Sequence, residues 1–252
     1  MRIAGNSRPG PDGIPFKAWR RLGPLGVEIL FQAGRRLEEG LDPGNPVHNR
    51  FNEALLCCLP KATSRRDDLG NDCHRADETR PLSIANTDNR LVASAFRLLW
   101  EPLVEPSISQ RQRGFLRGRS MLRHVVELES QAMVTALEEE DGAILLFDFR
   151  AAFPSVSRDF LMASLERAGF PPSALAVVRA LYLNTTAHVV LHGALHGEIT
   201  MERGIRQGCP SPHSYSPLPW THSFATSITY TLTRSAPYTK LAVMTSALSS
   251  AI

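Results

Sequence analysis

The spacing of hydrophobic and polar residues changes several times along this chain, and each spacing predicts a different element of secondary structure. Apolar residues three and four positions apart predict helices near 16–22, 27–39, 89–105, 120–140, 157–169 and 172–183. Continuous or alternating apolar runs predict strands at 51–61, 80–86 and 143–149, and a hairpin over 187–204. Helices and strands mix without a regular β–α alternation, which favours an α+β fold over a doubly wound sheet.

The best predicted strand ends in a single acid. Residues 144–149 read Ile-Leu-Leu-Phe-Asp-Phe, and the acid is Asp148. A carboxylate on a rigid strand end is well placed to hold Mg²⁺, which prefers carboxylate oxygens. The same position also suits an ordinary turn or cap residue, so these residues alone leave both interpretations open.

The C-terminal residues have a different composition from the rest of the chain. Residues 213–252 contain fifteen Ser or Thr residues, two basic residues and no acid. Short threonine-alternating pieces are compatible with strand, but no helical face is evident. We therefore predict a boundary near Pro212, with one domain over 1–212 and a divergent, poorly ordered Ser/Thr-rich tail over 213–252.

Size and composition limit the classes of protein. The chain has 252 residues, 43% hydrophobic and 21% charged, enough for one large or two small folded domains. Its four cysteines show no C-x-x-C spacing and predict neither a disulfide framework nor a zinc site. No apolar run approaches the roughly 20 residues that span a membrane. We expect an intracellular, soluble protein, in nucleus or cytoplasm, with no membrane partner; the sequence indicates no oligomeric state.

Arginine dominates the basic residues: of 28, only three are lysine, at a net charge of +3. Arginine suits bidentate phosphate contacts, although a biased base composition of the gene would produce the same excess. The segment between Glu105 and Glu127 contains no acid. This stretch is equally typical of a phosphate-tracking surface and of an ordinary exposed loop, and its arginines are Arg111, Arg113, Arg117, Arg119 and Arg123.

Several segments, taken in order, resemble the reverse transcriptase domain of non-LTR (LINE-type) retrotransposons. They are "RPGPDGIPFKAW", "LPK", "RPLSIANTDNRLVASAFRLLW", "QRGFLRGRS", "LFDFRAAFPSV" and "GIRQGCPSP", spread over residues 8–212. One such motif alone would be weak, but their shared order makes the resemblance specific. It implies a partial right-hand polymerase, with fingers and an incomplete palm, that carries out RNA-templated DNA synthesis. The implied partners are an RNA template, a DNA primer and dNTPs.

The resemblance also implies roles for individual residues. Two Mg²⁺ ions align the primer hydroxyl with the nucleotide phosphate in this family, so Asp148 would be a catalytic metal ligand, with the backbone carbonyl of Phe149 as a second contact. Phe153 matches the aromatic residue that excludes ribonucleotides, although a core aromatic would look the same. The remaining implied contacts are Lys61, Arg80, Gln207 and Gly208 with the nucleotide, and Arg111, Arg113, Arg117 and Arg119 with nucleic acid.

The sequence also departs from the family pattern. The family's Tyr-x-Asp-Asp motif, which supplies the other metal ligands, is absent: no Asp follows Asp159 and no Glu follows Glu202. "CPSP" lacks the usual Leu, and Pro154 replaces the acid of "AFD". These departures indicate a frame change, a mis-joined exon or a degenerate copy. We expect this chain to be inactive by itself; the alternatives are a non-catalytic RNA- or DNA-binding remnant and a functionless fragment of a mobile element.

Overall fold

The computed structural model describes residues 8–40, 50–61, 65–109, 113, 118–138, 143–147, 152–205 and 241–245. The chain forms two compact units: Met1–Leu98 with Phe153–Pro212, and Leu99–Ala152 with His213–Ile252. The mixture of elements confirms the predicted α+β class. None of the described helices combines the length and apolarity needed to cross a membrane.

Six of the seven described helices lie close to the predicted positions, and the short helix at Ala152–Ser155 was not predicted. The seven helices are α1 Phe16–Leu22, α2 Pro24–Glu39, α3 Thr87–Val104, α4 Met121–Glu138, α5 Ala152–Ser155, α6 Arg158–Arg167 and α7 Pro172–Tyr182. Helix α2 begins three residues before the predicted Val27, because Pro24 occupies the first helical position, where its missing N–H costs no hydrogen bond. Helix α6 begins as predicted, with the N–H of Phe160 donating to Ser157 Oγ at 3.4 Å.

Five of the eight described strands follow the predicted runs. The eight strands are β1 Glu53–Pro60, β2 Arg65–Arg66, β3 Asp72–Cys73, β4 Thr79–Ala85, β5 Ala143–Phe147, β6 Thr186–Leu191, β7 Ala194–Thr200 and β8 Leu241–Thr245. Strands β6 and β7 form the predicted hairpin around His192-Gly193. The polar segment between β1 and β4 contains the short β2–β3 ribbon, which the apolar pattern could not predict.

A four-stranded sheet organises the first unit, in the order β4-β1-β6-β7. Strand β1 pairs antiparallel with β4 and parallel with β6, so Ala54 lies beside Ala187, both fully buried. Helix α7 packs on α2 and α6. The largest fully buried apolar side chains of this unit come from those helices and are Leu165, Val177 and Val178, with Leu37 at 2% exposure. Burial of these apolar faces is the main stabilising contribution to the unit.

The second unit contains α4 and a parallel pair of strands. Strand β5 pairs with β8, from Ala143 beside Leu241 to Phe147 beside Thr245. Strand β8 belongs to the region predicted to be a poorly ordered tail, and the boundary near Pro212 stays a prediction. Helix α4 forms where predicted, but its apolar stripe is exposed, and Leu122 and Leu137 are 76% and 88% accessible. The helix thus buries none of its described residues.

Candidate functional site

Two of the predicted nucleotide-binding residues lie together at one end of the β1–β4 ladder. Leu59 lies opposite Arg80, and the ladder extends one residue further through a hydrogen bond from Lys61 N to Glu78 O at 3.1 Å. Lys61 directly follows β1 and Arg80 is the second residue of β4, so the two residues are diagonal neighbours at this end of the ladder. Both are exposed, and Lys61 Nζ donates to Asp77 O at 3.2 Å. Two exposed cations therefore lie close together at this end of the ladder.

A proline inside β4 fits the position of this strand at the edge of the sheet. Pro81 follows Arg80 inside β4 and lies opposite Cys58. Proline has no N–H for a ladder and is tolerated in strands at a sheet edge. Strand β4 is the edge of the described four-stranded sheet. The "RPLS" motif thus places Arg80 on an outer strand, where its side chain reaches solvent.

The short ribbon beside these cations is locally neutralised. Arg66 Nε lies 3.2 Å from Asp72 Oδ1, and Arg75 Nε lies 3.2 Å from Asp77 Oδ1. The ribbon's turn is held by Asp67, whose carboxylate accepts hydrogen bonds from the Asn71 side chain, Asn71 N and Leu69 N. The side-chain bond from Asn71 is the main reason that the pKa of Asp67 is lowered.

A buried polar network holds the start of α3, and the hydrophobic pattern gave no sign of it. Asn52 is fully buried, and its Nδ2 donates to Ala180 O and Leu183 O, each at 2.7 Å. Asn89 Nδ2 donates to Asn52 Oδ1 at 3.0 Å. This network joins the start of β1, the start of α3 and the end of α7. A run of small polar residues at a predicted strand-to-helix junction, here "NTDN", was the only available signal.

The same junction fixes the N-terminal "GPDGI" segment. Thr87 Oγ1 donates to Ile14 O and accepts from Trp19 Nε1, both at 2.8 Å. A Cβ on Gly10 would lie 2.4 Å from Asn86 Oδ1, so only glycine permits this close approach. The motif residues that the resemblance singled out at 8–19 and 86–90 are therefore parts of one packed junction.

Asp88 lies at this junction, in the first turn of α3. Burial raises the pKa of Asp88, the nearby Asp12 carboxylate adds to the rise, and the N–H of Asn89 opposes it. The helix N-terminus favours the carboxylate, since backbone N–H groups point toward it. Asp88 is thus a partly buried acid whose charged form is disfavoured by burial, and it was not predicted from the sequence.

The "AFPSV" and "GIRQG" motifs meet in the first unit. Gly204 N donates to Val156 O at 2.9 Å. Gly204 has φ +85°, and an added Cβ would lie 2.8 Å from Pro154 Cα, so both its backbone conformation and the available space require glycine. Ile205 is buried, at 4% exposure. The first two residues of "GIRQG" are thus fixed against the segment that follows the predicted catalytic strand.

Several predicted site residues lie outside the described part of the chain. Strand β5 ends at Phe147, directly before Asp148, as the apolar pattern predicted. Phe153 lies in helix α5. The predicted residues outside the described ranges are Asp148, Phe149, Gln207, Gly208, Arg111 and Arg117. Their roles stay predictions.

Two of the predicted nucleic-acid-binding arginines, Arg113 and Arg119, are described and have partners within the second unit. Arg113 Nη2 lies 2.5 Å from Glu127 Oε1, with its side chain 14% exposed. Arg119 donates to three backbone carbonyls, those of Ser109 at 2.6 Å, Ile108 at 3.3 Å and Glu105 at 3.5 Å. Both guanidinium groups therefore contribute to local structure, and their contact with nucleic acid stays a prediction.

The candidate metal donors do not fit a two-metal site. No group of three or more His, Cys, Asp or Glu residues that could hold a metal ion occurs among the described residues. The sequence contributes no acid beyond Glu202 that could join Asp148. A two-metal site needs several carboxylate oxygens, and a single carboxylate with a backbone carbonyl does not supply them.

Comparison with known proteins agrees with the motif order. Residues 60–219 match the family of reverse transcriptases (RNA-dependent DNA polymerases), which is more than half of the chain. The Transposon TX1 uncharacterized 149 kDa protein of Xenopus laevis is 25% identical over 209 residues, covering 81% of this chain. The chain spans only 15% of the length of that relative. These matches confirm the recognition made from the motifs, and the chain belongs to the reverse transcriptase family, with a domain of the non-LTR retrotransposon type.

Proposed function

We propose that this chain is the fingers and part of the palm of a retrotransposon reverse transcriptase, and that it binds nucleotides and nucleic acid without catalysing DNA synthesis by itself. The family reaction is RNA-templated DNA synthesis, and its substrates are an RNA template, a DNA primer and dNTPs. In this chain Lys61 and Arg80 contact the triphosphate, and Phe153, Gln207 and Gly208 pack against the nucleotide. Catalysis requires Asp148 together with carboxylates that a longer product or a partner would provide.

The paired placement of Lys61 and Arg80 is the observation that supports this proposal best. The negative charge of a triphosphate is spread over several oxygens, and two neighbouring cations can contact neighbouring phosphates at once. The nearby ribbon arginines are already neutralised by acids, as in the 3.2 Å pair of Arg66 and Asp72. Arg66, which is paired in this way, therefore serves as the comparison for Lys61 and Arg80.

Nucleotide binding by this surface can be tested directly. The Kd of a fluorescent dNTP would be measured for the wild type, Lys61→Ala and Arg80→Ala. Because a hydrogen bond to a charged group contributes about 1.5–3 kcal/mol, each substitution should raise the Kd about tenfold or more. Arg66→Ala is the matched control, an exposed arginine of the same unit, and should change the Kd less than about twofold. Equal weakening by all three variants would indicate a general charge effect and contradict the proposed site.

Catalysis is tested separately by primer extension. The wild-type chain should give no extension product on an RNA template with a DNA primer and Mg²⁺, because no acid follows Glu202, where the family's Tyr-x-Asp-Asp motif would supply the other carboxylates. Template-dependent extension that disappears in Asp148→Ala would overturn this part of the proposal.

The second candidate function is nucleic-acid binding without any nucleotide site. The excess of arginine, 25 of 28 basic residues, favours it. Binding through arginine–phosphate contacts should weaken steeply as salt rises and should survive Asp148→Ala. A wild-type chain that binds RNA in this way but binds no dNTP would replace the first proposal by the second.

Sequencing of full-length cDNA across the codons for Gln207 to Ile252, read in three frames, tests the origin of the missing acids. A Tyr-x-Asp-Asp segment in another frame or exon would identify an intact polymerase, from which this chain differs by a frame change or a mis-joined exon. If no frame contains the segment, catalysis is excluded for this locus and binding is the remaining activity.

A further inference from the structure

One arginine outside all of the sequence motifs joins three segments of the first unit. Arg158 is the first residue of α6, and its Nη1 donates to Tyr182 O at 2.9 Å. Its Nη2 donates to Met201 O, and its guanidinium carbon lies 5.4 Å from the centre of the Tyr182 ring. The side chain thus connects the start of α6, the end of α7 and the segment that follows β7.

The surroundings of Arg158 suit a side chain that holds the backbone of neighbouring segments in place. Burial lowers the pKa of Arg158, while Tyr182 and Glu202 oppose that shift. Arginine is not deprotonated in proteins, so the guanidinium stays charged. Its Nε is buried and makes no hydrogen bond with the part of the chain that the structure describes. Its two described hydrogen bonds go to backbone carbonyls, so the guanidinium specifies the path of the chain. A lysine has one nitrogen and cannot reproduce this planar two-carbonyl contact.

The segment held by Arg158 leads directly into the "GIRQG" motif. Met201 is fixed from both sides, because its N–H also donates to Thr185 O at 2.8 Å. Three residues later, Gly204 is fixed against Val156 and Pro154. Between these points Glu202 and Arg203 are exposed. The path is therefore anchored at its two ends, by Arg158 and by Gly204.

We infer that Arg158 and Gly204 are positioning residues for nucleotide binding: they fix where the chain enters the motif that carries Gln207 and Gly208. This inference rests on the proposed function, in which Gln207 and Gly208 pack against the nucleotide. Arg158 acts through Met201, and Gly204 acts through its contact with the segment after α5. Neither residue is expected to touch the nucleotide itself.

Five proteins test the inference: the wild type, the three variants Arg158→Met, Arg158→Lys and Gly204→Ala, and one control variant. Methionine keeps much of the apolar contact of the arginine stem and removes both carbonyl contacts. Arg179→Met is the matched control, because Arg179 is an exposed arginine of the same unit that pairs with Glu166 at 2.8 Å. Two quantities are measured for each protein: amide hydrogen exchange of the peptide containing residues 201–205, and the Kd of a fluorescent dNTP.

We expect Arg158→Met and Gly204→Ala to speed exchange in residues 201–205 at least tenfold and to raise the dNTP Kd at least tenfold. Arg158→Lys should fall between the wild type and Arg158→Met in both measurements, whereas Arg179→Met should change neither more than twofold. Far-ultraviolet circular dichroism identifies any variant that has lost its fold. In that case the milder Arg158→Lys variant provides the comparison.

The possible failures are distinguishable. Unchanged exchange in Arg158→Met and Gly204→Ala would overturn the inference, because the segment would not depend on these residues. Faster exchange with an unchanged dNTP Kd would also overturn it, since the contact would then be structural alone. Absence of dNTP binding by the wild type would refute the proposed nucleotide site and, with it, the nucleotide role of Arg158.

Discussion

Replacement of Asn52 by alanine should destabilise the first unit more than its small size suggests. The side chain is fully buried and donates to Ala180 O and Leu183 O, while accepting from Asn89. Alanine cannot replace any of these bonds. Ala180 O keeps a second donor, Leu183 N at 3.4 Å, so the groups left worst paired are Leu183 O and one hydrogen of the Asn89 amide.

The size of the effect follows from these two groups. A buried polar group left without a partner costs about 1–3 kcal/mol, so two of them lower the free energy of unfolding by about 2–6 kcal/mol. Domains are commonly stable by only about 5–15 kcal/mol, which makes this a large fraction. A thermal midpoint should fall by roughly 10 °C, given about 2–4 °C per kcal/mol for units of this size.

The assay is urea unfolding followed by tryptophan fluorescence, with a thermal melt as a second measurement. Asn71→Ala is the control, because Asn71 is exposed and bonds only within the short ribbon, and it should change stability by less than about 0.5 kcal/mol. A loss below about 1 kcal/mol for Asn52→Ala would refute the reasoning, since it would mean that water or rearrangement satisfies the buried groups.

Three further outcomes are expected, each measured by unfolding. Ser157→Ala should destabilise by about 0.5–1 kcal/mol, at the low end for an N-cap because the bond to Phe160 N is long, and no loss would show that the cap is idle. Trp19→Phe should cost about 1 kcal/mol through the lost bond to Thr87, and an unchanged stability would contradict that bond. Asp88→Asn should stabilise the unit at neutral pH. The pKa of Asp88 is raised in the folded state, so the contribution of this acid to the free energy of unfolding is complete below its ordinary pKa of 3.8. That contribution is lost as the pH rises through the folded-state pKa. The gain should therefore grow from pH 3 to pH 7, and a gain independent of pH would refute the assignment.

Local patterns predicted the elements well because the deciding signals lie within a few residues. Ser157 and Gly169 marked both ends of α6, and His192-Gly193 marked the hairpin turn. The apolar run before Asp148 also became a strand that ends at Phe147. Each of these signals depends on backbone preferences or on the spacing of apolar residues, which a sequence displays directly.

The polar junctions could not be predicted, because their partners are far apart in the sequence. Asn52 and the carbonyl of Ala180 are separated by 128 residues, and Arg158 and Met201 by 43. In a sequence, a buried asparagine or arginine cannot be distinguished from a surface residue, because its hydrogen-bond partners are brought close only by the fold. The exposed stripe of α4 shows the opposite case, since spacing predicted the helix correctly but could not tell whether anything covers its apolar face.

The parallel pairing of β1 with β6 has a consequence for synthesis of the protein. Residue 53 leaves the ribosome long before residue 186, its register partner. At about 5–20 residues per second, the edge of β1 that faces β6 stays open for roughly 7–27 s, although β4 can already pair on the other side. During this interval an apolar strand with unpaired backbone groups is exposed to other chains. Release of the chain before β6 is made should therefore lead to aggregation, and a nascent-chain series ending on either side of residue 191 would reveal where protection begins.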